Sequence, residues 1–267
     1  MVPRCLTIAA SDSGGGAGIQ ADLRAFAAAG CYGTSVIVAL TAQNTRGIDA
    51  VHEVPAEFVS AQLRAVLDDI GADAVKTGVL LSDAIVDVVA SHLEGLNLPL
   101  VVDPVMAATT GARLMTDAAL RESVRRLFPL ATVVTPNDAE AVAIAGREGT
   151  RAELAEAIVA MGAHAVLITG GQGAPVDHLY CDGRHVEIAV QRVYSTATHG
   201  SGCTHSATVA AELAKGASLE DGARRAASVT RAAIARGLAE IGSGEGPVDV
   251  LGVAGSQAAA SQRRRMT

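Results

Sequence analysis

The chain has 267 residues, 49% of them hydrophobic but only 2% aromatic, with no tryptophan. So few ring faces exclude a nucleic-acid surface built on base stacking, and a net charge of −7 offers no general attraction to polyanions, so any phosphate must be held by local geometry. Scattered cysteines without paired spacing, the absence of a membrane-length apolar run and an opening segment too short for a signal peptide lead to the expectation of a cytoplasmic protein.

Strands are expected at 5–10 (CLTIAA), 33–42 (GTSVIVALTA), 73–78 (DAVKTG), 99–105 (PLVVDPV), 131–137 (ATVVTPN) and 164–170 (HAVLITG). Helical patterns separate them at 17–29, where Ile19, Leu23 and Phe26 share a face, and at 56–70, 83–93, 117–127 and 153–161. Near-continuous Val/Ile/Leu strands alternating with amphipathic helices predict a mostly parallel sheet covered on both faces. DHLYC and RHVEIAV flank Asp182-Gly183, which predicts an antiparallel hairpin at one edge. Two helices, 203–214 and 219–241, close a single domain over 1–253, and residues 254–267 read as a disordered tail.

Each apolar run ends in a polar signal: SDSGGGAG, TAQNT, KTG, DPV, TPNDAE and TGG. In an open parallel sheet, ligands gather outside the carboxyl ends of the strands, so these tips form the rim of one cleft. Four glycines in the five positions 14–18 let backbone amides approach a ligand, although the dinucleotide pattern lacks its ribose-binding acid after the second strand. Asp22 reads as a charge in the first turn of a helix, favoured by the dipole. Gln43 is equally a loop amide or a reader of an aminated ring. Asn137 and Glu140, three apart, make either a capping box or, with Asp103, a carboxylate site for Mg²⁺.

The strongest local signal is THGSGC. Gly200, Ser201, Gly202 and Cys203 can aim successive N–H groups outward at a helix start, which makes an anion site. That position is also expected to lower the Cys203 thiol from about 8.5, making a thiolate accessible near neutrality; the alternative is a small buried residue.

LTIAASDSGGGAGIQADLRAF, TAQNTRGI, AVKTGVL, VVDPVM, LFPLATVVTPNDAEA and THGSGCT together resemble the hydroxymethylpyrimidine/phosphomethylpyrimidine kinases of thiamine biosynthesis, within the ribokinase-like superfamily. The resemblance spans roughly residues 4–250. It implies a three-layer α/β fold, usually a homodimer, and ATP-dependent phosphorylation of 4-amino-5-hydroxymethyl-2-methylpyrimidine and then of its monophosphate. By position, the pyrimidine pocket would comprise Ala17, Asp22, Gln43, Val79 and Val105, with Gln43 reading the amino group and a ring nitrogen. Asn137, Thr169 and Gly171 would face the nucleotide, Asp103 and Glu140 the Mg²⁺, and Gly200 to Cys203 the transferred phosphoryl group. In related sugar kinases an Asp stands where Cys203 stands, which casts Cys203 as general base. Three features depart from the family: Thr169 and Thr109 replace customary lysines, and Gly242 to Pro247 carries an acid where histidine is usual. Arg113, in a possible lid, is one candidate to replace the lost charge. The departures leave open a pyridoxal-type or pyrimidine-analogue kinase, or a pyrimidine-binding homologue with weak catalysis. A cysteine hydrolase is unlike this chain, because His199 and His205 have no triad spacing.

Overall fold

The computed structural model describes residues 1–107, 111–170 and 175–255. One nine-stranded sheet runs through them in the order β3-β2-β1-β4-β5-β6-β7-β8-β9. The strands are β1 (Arg4–Asp12), β2 (Tyr32–Asn44), β3 (Gly47–Glu53), β4 (Ala74–Thr77), β5 (Leu100–Val102), β6 (Val133–Val134), β7 (Ala165–Ile168), β8 (Val176–Cys181) and β9 (Arg184–Ala189). β2, β1, β4, β5, β6 and β7 are parallel.

The strand sequences direct side chains alternately to two cores, as the pleat requires. Leu6, Ile8, Leu100, Val102, Val134, Val166 and Ile168 face one; Cys5, Val101, Val133, Ala165 and Leu167 face the other. The first core is covered by α2 (Ala56–Ala65), α3 (Asp83–Leu93), α4 (Asp117–Glu122), α5 (Asp138–Ala145) and α6 (Arg151–Val159). The second is covered by α1 (Gly18–Ala28), α7 (Ser201–Ala214) and α8 (Leu219–Ala235). This second layer packs on Ala207, Ala210, Ala211, Ala223, Ala226 and Ala227, all buried. Small side chains there replace the aromatic bulk that the composition withholds.

The three-layer reading therefore holds, with local differences. The hairpin of β8 and β9 lies at one edge as expected. The other edge is antiparallel too, because β3 turns back on β2. α8 stops at Ala235, short of 241, because Gly237 passes so close to Ala197 that a Cβ would lie 2.5 Å from the alanine's own. Of the expected tail, Ala254 and Gly255 instead lie in a helical turn whose Val253 and Ala254 amides donate to Asp249 at 2.9 and 3.0 Å; the remainder lies outside the described residues.

Candidate active site

The first βα turn is organised by Asp12, the last residue of β1. Its carboxylate accepts from the amides of Gly14 (2.7 Å), Gly16 (3.0 Å) and Ala17 (2.9 Å), folding the glycine-rich loop over itself. It also accepts from Nε2 of His199 at 2.9 Å. Burial would raise the Asp12 carboxyl, but these bonds hold it below the ordinary range. α1 then begins at Gly18, which puts Asp22 in the second turn rather than the first.

Asp22 is completely buried and does not reach the cavity wall. It grips the Lys76 ammonium of β4 at 2.9 and 3.0 Å and accepts from the Thr7 hydroxyl at 2.6 Å. Asp103, just beyond β5, lies 3.6 Å from the same ammonium and accepts from Ser206 of α7 at 2.8 Å. Burial alone would lower Lys76, but the charges of Asp22 and Asp103 reverse this and keep it protonated well above its usual range. Asp22, expected in the pyrimidine pocket, instead lies behind the cavity wall and anchors Lys76, which lines it.

α7 starts at a Gly200 of φ +79°, where any Cβ would lie 1.8 Å from the Gly16 carbonyl. The two loops touch there, and only glycine permits it. The Ser201 amide turns back to the Thr198 carbonyl at 3.0 Å, so it is withdrawn from the expected anion site. Among the described residues, the amides of Gly202 and Cys203 have no protein acceptor, and both residues line the cavity. The expected low thiol pKa is also overturned. Burial pushes Cys203 up to about 12, with Asp22 and Asp103 adding to the rise; Lys76 and the Gly18 amide offset only part of it. Desolvation and two carboxylates outweigh the helix terminus.

Asn137 and Glu140 form a complete capping box at the start of α5. Glu140 accepts the Asn137 amide at 2.9 Å and lies 3.4 Å from the Met106 amide. Burial, with the charge of Asp103, pushes its carboxyl up to about 7. The capping box does not preclude the cation role expected of Glu140. Among the described residues no three metal-ligating side chains converge, but two carboxylates in mutual repulsion fit Mg²⁺, which keeps most of its waters and shares phosphate oxygens.

The loop tips open on one cavity of about 900 Å³, large enough for two small ligands side by side. Ala17, Gln43, Val79, Val105, Asp103, Asn137, Glu140, Thr169 and Gly200 to Cys203 all line it. Gly171 and Thr109 lie outside the described residues. Arg113 does not line the cavity and pairs with Asp117; the charged lining cations among the described residues are Lys76, Arg192 and Arg231. Residue spacing missed Asp12, Lys76 and His199, and it missed a pair at the cavity wall beside Thr169. There Asp177 of β8 accepts the Gly170 amide at 2.8 Å and lies 3.2 Å from His205. A charged residue at the end of a strand was the signal for Asp12 and Lys76; the others had none.

The fold matches the crystal structure of an ADP complex of Bacillus subtilis pyridoxal kinase with a TM-score of 0.87 and 34% identity, over 95% of this chain and 99% of that one. It matches phosphomethylpyrimidine kinase from Clostridium difficile with a TM-score of 0.76 and 37% identity, over 87% and 99%. Fold and site define a small-molecule kinase of the ribokinase-like class. More narrowly, the chain belongs to the phosphomethylpyrimidine kinase family, whose model matches residues 12–249. A hydroxymethylpyrimidine/phosphomethylpyrimidine kinase of Rhizobium meliloti is 48% identical over 257 residues, 93% of this chain and 97% of the relative.

Proposed function

We propose that this chain transfers the γ-phosphoryl group of ATP to the hydroxymethyl oxygen of 4-amino-5-hydroxymethyl-2-methylpyrimidine, and then phosphorylates the monophosphate. The observation that carries the reading is the convergence in one cavity of Gln43, able to read an aminated ring, and the unpartnered Gly202 and Cys203 amides, able to hold a phosphoryl group. ATP as donor is supported by the ADP-bound relative, and thiamine biosynthesis by the family.

In the first step the hydroxymethyl oxygen forms a bond to the γ-phosphorus as its O–H bond breaks, the proton passing to a phosphoryl oxygen and on to water; the bond to the β–γ bridging oxygen breaks, and ADP leaves. Ala17, Val79 and Val105 would enclose the ring, while Gln43 orients it so that the hydroxymethyl group points at the start of α7. The Gly202 and Cys203 amides face the charge on the equatorial oxygens, where preorganised donors contribute most. A thiol held near 12 is neutral at pH 7, so Cys203 contributes its amide rather than a standing thiolate. A loose transition state tolerates this, because proton removal is its lesser term. Asn137 and Thr169 would lie along the nucleotide, as would Gly171. Asp103 and Glu140 would hold Mg²⁺, which neutralises the phosphates when bound.

The test is incubation with ATP, Mg²⁺ and hydroxymethylpyrimidine, following ADP and both phosphorylated products, with pyridoxal in parallel. Both pyrimidine phosphates are expected to form faster than pyridoxal phosphate, and Thr169→Lys should lower KM for ATP several-fold by restoring a point charge. Pyrimidine binding without ADP release sinks the reading in favour of a binding protein; faster turnover of pyridoxal sinks it in favour of the related kinase. A cytoplasmic homodimer belongs to the same proposal, supported by exposed Leu40, Val51 and Phe58 near the β2–β3 edge. A single-chain mass in sedimentation velocity would remove the dimer.

A further inference from the structure

His199 is placed with unusual care for a residue no step of the reaction requires. Its backbone is pinned on both sides: its amide donates to the Gly246 carbonyl and its carbonyl accepts from Val248, each at 3.1 Å. Its ring lies against Gly16, where a Cβ would come within 2.1 Å of the imidazole, so no side chain can intervene. The ring is nearly buried, and its Nε2 has two neighbours: Asp12 at 2.9 Å and, at 3.4 Å, the end of the Gln43 amide placed as its nitrogen, with the oxygen placed toward Thr41.

The hydrogen-bond roles at this junction follow from chemistry. An ionised carboxylate only accepts, so the nitrogen facing Asp12 carries a proton. Whatever atom Gln43 presents to that same N–H must then be an acceptor. An amide's nitrogen and oxygen are told apart by such networks rather than by shape. The other end of the amide lies 3.1 Å from Thr41 Oγ1, which has the Ser11 carbonyl at 3.1 Å as well. As placed, Thr41 would have to donate to both the Ser11 carbonyl and Gln43 Oε1 with a single proton; with the amide turned over, it donates to Ser11 and accepts from the Gln43 N–H.

We infer that His199 is a positioning residue for substrate choice: it turns the Gln43 carbonyl oxygen toward itself and prevents the amide from flipping. The inference rests on the pyrimidine-kinase reading above. With one N–H engaged by Thr41 and one lone pair by His199, Gln43 keeps one donor and one acceptor for the ligand. That edge complements an amino group beside a bare ring nitrogen. A 4-oxo ring, with its carbonyl and ring N–H, presents the opposite order and needs the amide turned over. The ring cannot turn instead, because its hydroxymethyl group must face Gly202 and Cys203.

The test compares the 4-amino substrate with its 4-oxo counterpart in wild type, His199→Phe and His199→Gln. In His199→Phe the ratio of their kcat/KM values should fall about tenfold or more, through KM for the pyrimidine, with KM for ATP unchanged. His199→Gln, whose amide N–H can still donate to Asp12 and Gln43, should recover part of the ratio. Equal losses for both pyrimidines, or a matching rise in KM for ATP, would overturn the inference as a structural effect. The ¹⁵N imidazole shifts of wild-type His199 give a second reading: the proton is expected on Nε2, and a proton on Nδ1 alone overturns the inference. Should wild type turn over neither pyrimidine, the proposed function falls, and the tautomer alone decides the role of His199.

Discussion

Where the glycine-rich loop meets α7, buried side chains join positions far apart in the chain: Asp12 with His199 and Asp22 with Lys76, itself beside Asp103. Around the starts of α5 and β8 several ties are short. Asn137 and Glu140 cap their own helix, and Asp177 reaches back seven residues to the Gly170 amide. One end is a cross-braced ionic scaffold that joins β1, α1, β4 and the end of β5. The other is built on helix caps and turns, fastened to α7 by Asp177 with His205.

Removing the brace should be the costliest single change. Lys76→Met leaves Asp22 buried without its cation and should cost about 3–5 kcal/mol in urea denaturation, as for other broken buried pairs. Asp22→Asn in the same chain should recover part of that loss; a Lys76→Met cost below about 1 kcal/mol would mean the brace is not structural. At the opposite end, Asn137→Ala removes one cap and should cost about 1 kcal/mol, with its kinetic effect confined to KM for ATP. Comparable losses from the two variants would erase the distinction between the ends.

The smallest effect concerns Cys203. Its folded pKa is raised to about 12, so the stability it contributes is complete below the unfolded value of about 8.5 and is lost as pH rises toward 12. Melting temperature should therefore decline above pH 8.5, and more gently in Cys203→Ala. The first phosphorylation should show no ionisation near pH 7 that this variant abolishes; such a limb would reinstate the thiolate base.

The sheet and most helices were legible because apolar period two and period 3.6 leave separate traces, and the rim of the cavity was legible because polar clusters follow strands. β3 was not, since GIDAVHE is largely exposed and owes its conformation to pairing with β2. Asp12 and His199 stand 187 positions apart, and Asp22 and Lys76 54, distances at which spacing carries no signal. The thiol of Cys203 misled for the same reason. Its local rule was sound, but burial overruled it, helped by carboxylates brought in by α1 and the end of β5.

The segment from Gly242 to Pro247 holds two remote parts of the chain together. Its Ser243 and Gly244 amides donate to the Thr45 hydroxyl, Glu245 hydrogen-bonds Thr198, and a Cβ on Gly244 would lie 2.0 Å from the Thr45 carbonyl. A late stretch of chain thus buckles the end of β2 to the entrance of α7. During translation, an emerging polypeptide would have β2 long before it could fasten this buckle, so catalytic competence should arrive only once that stretch has cleared the ribosomal tunnel.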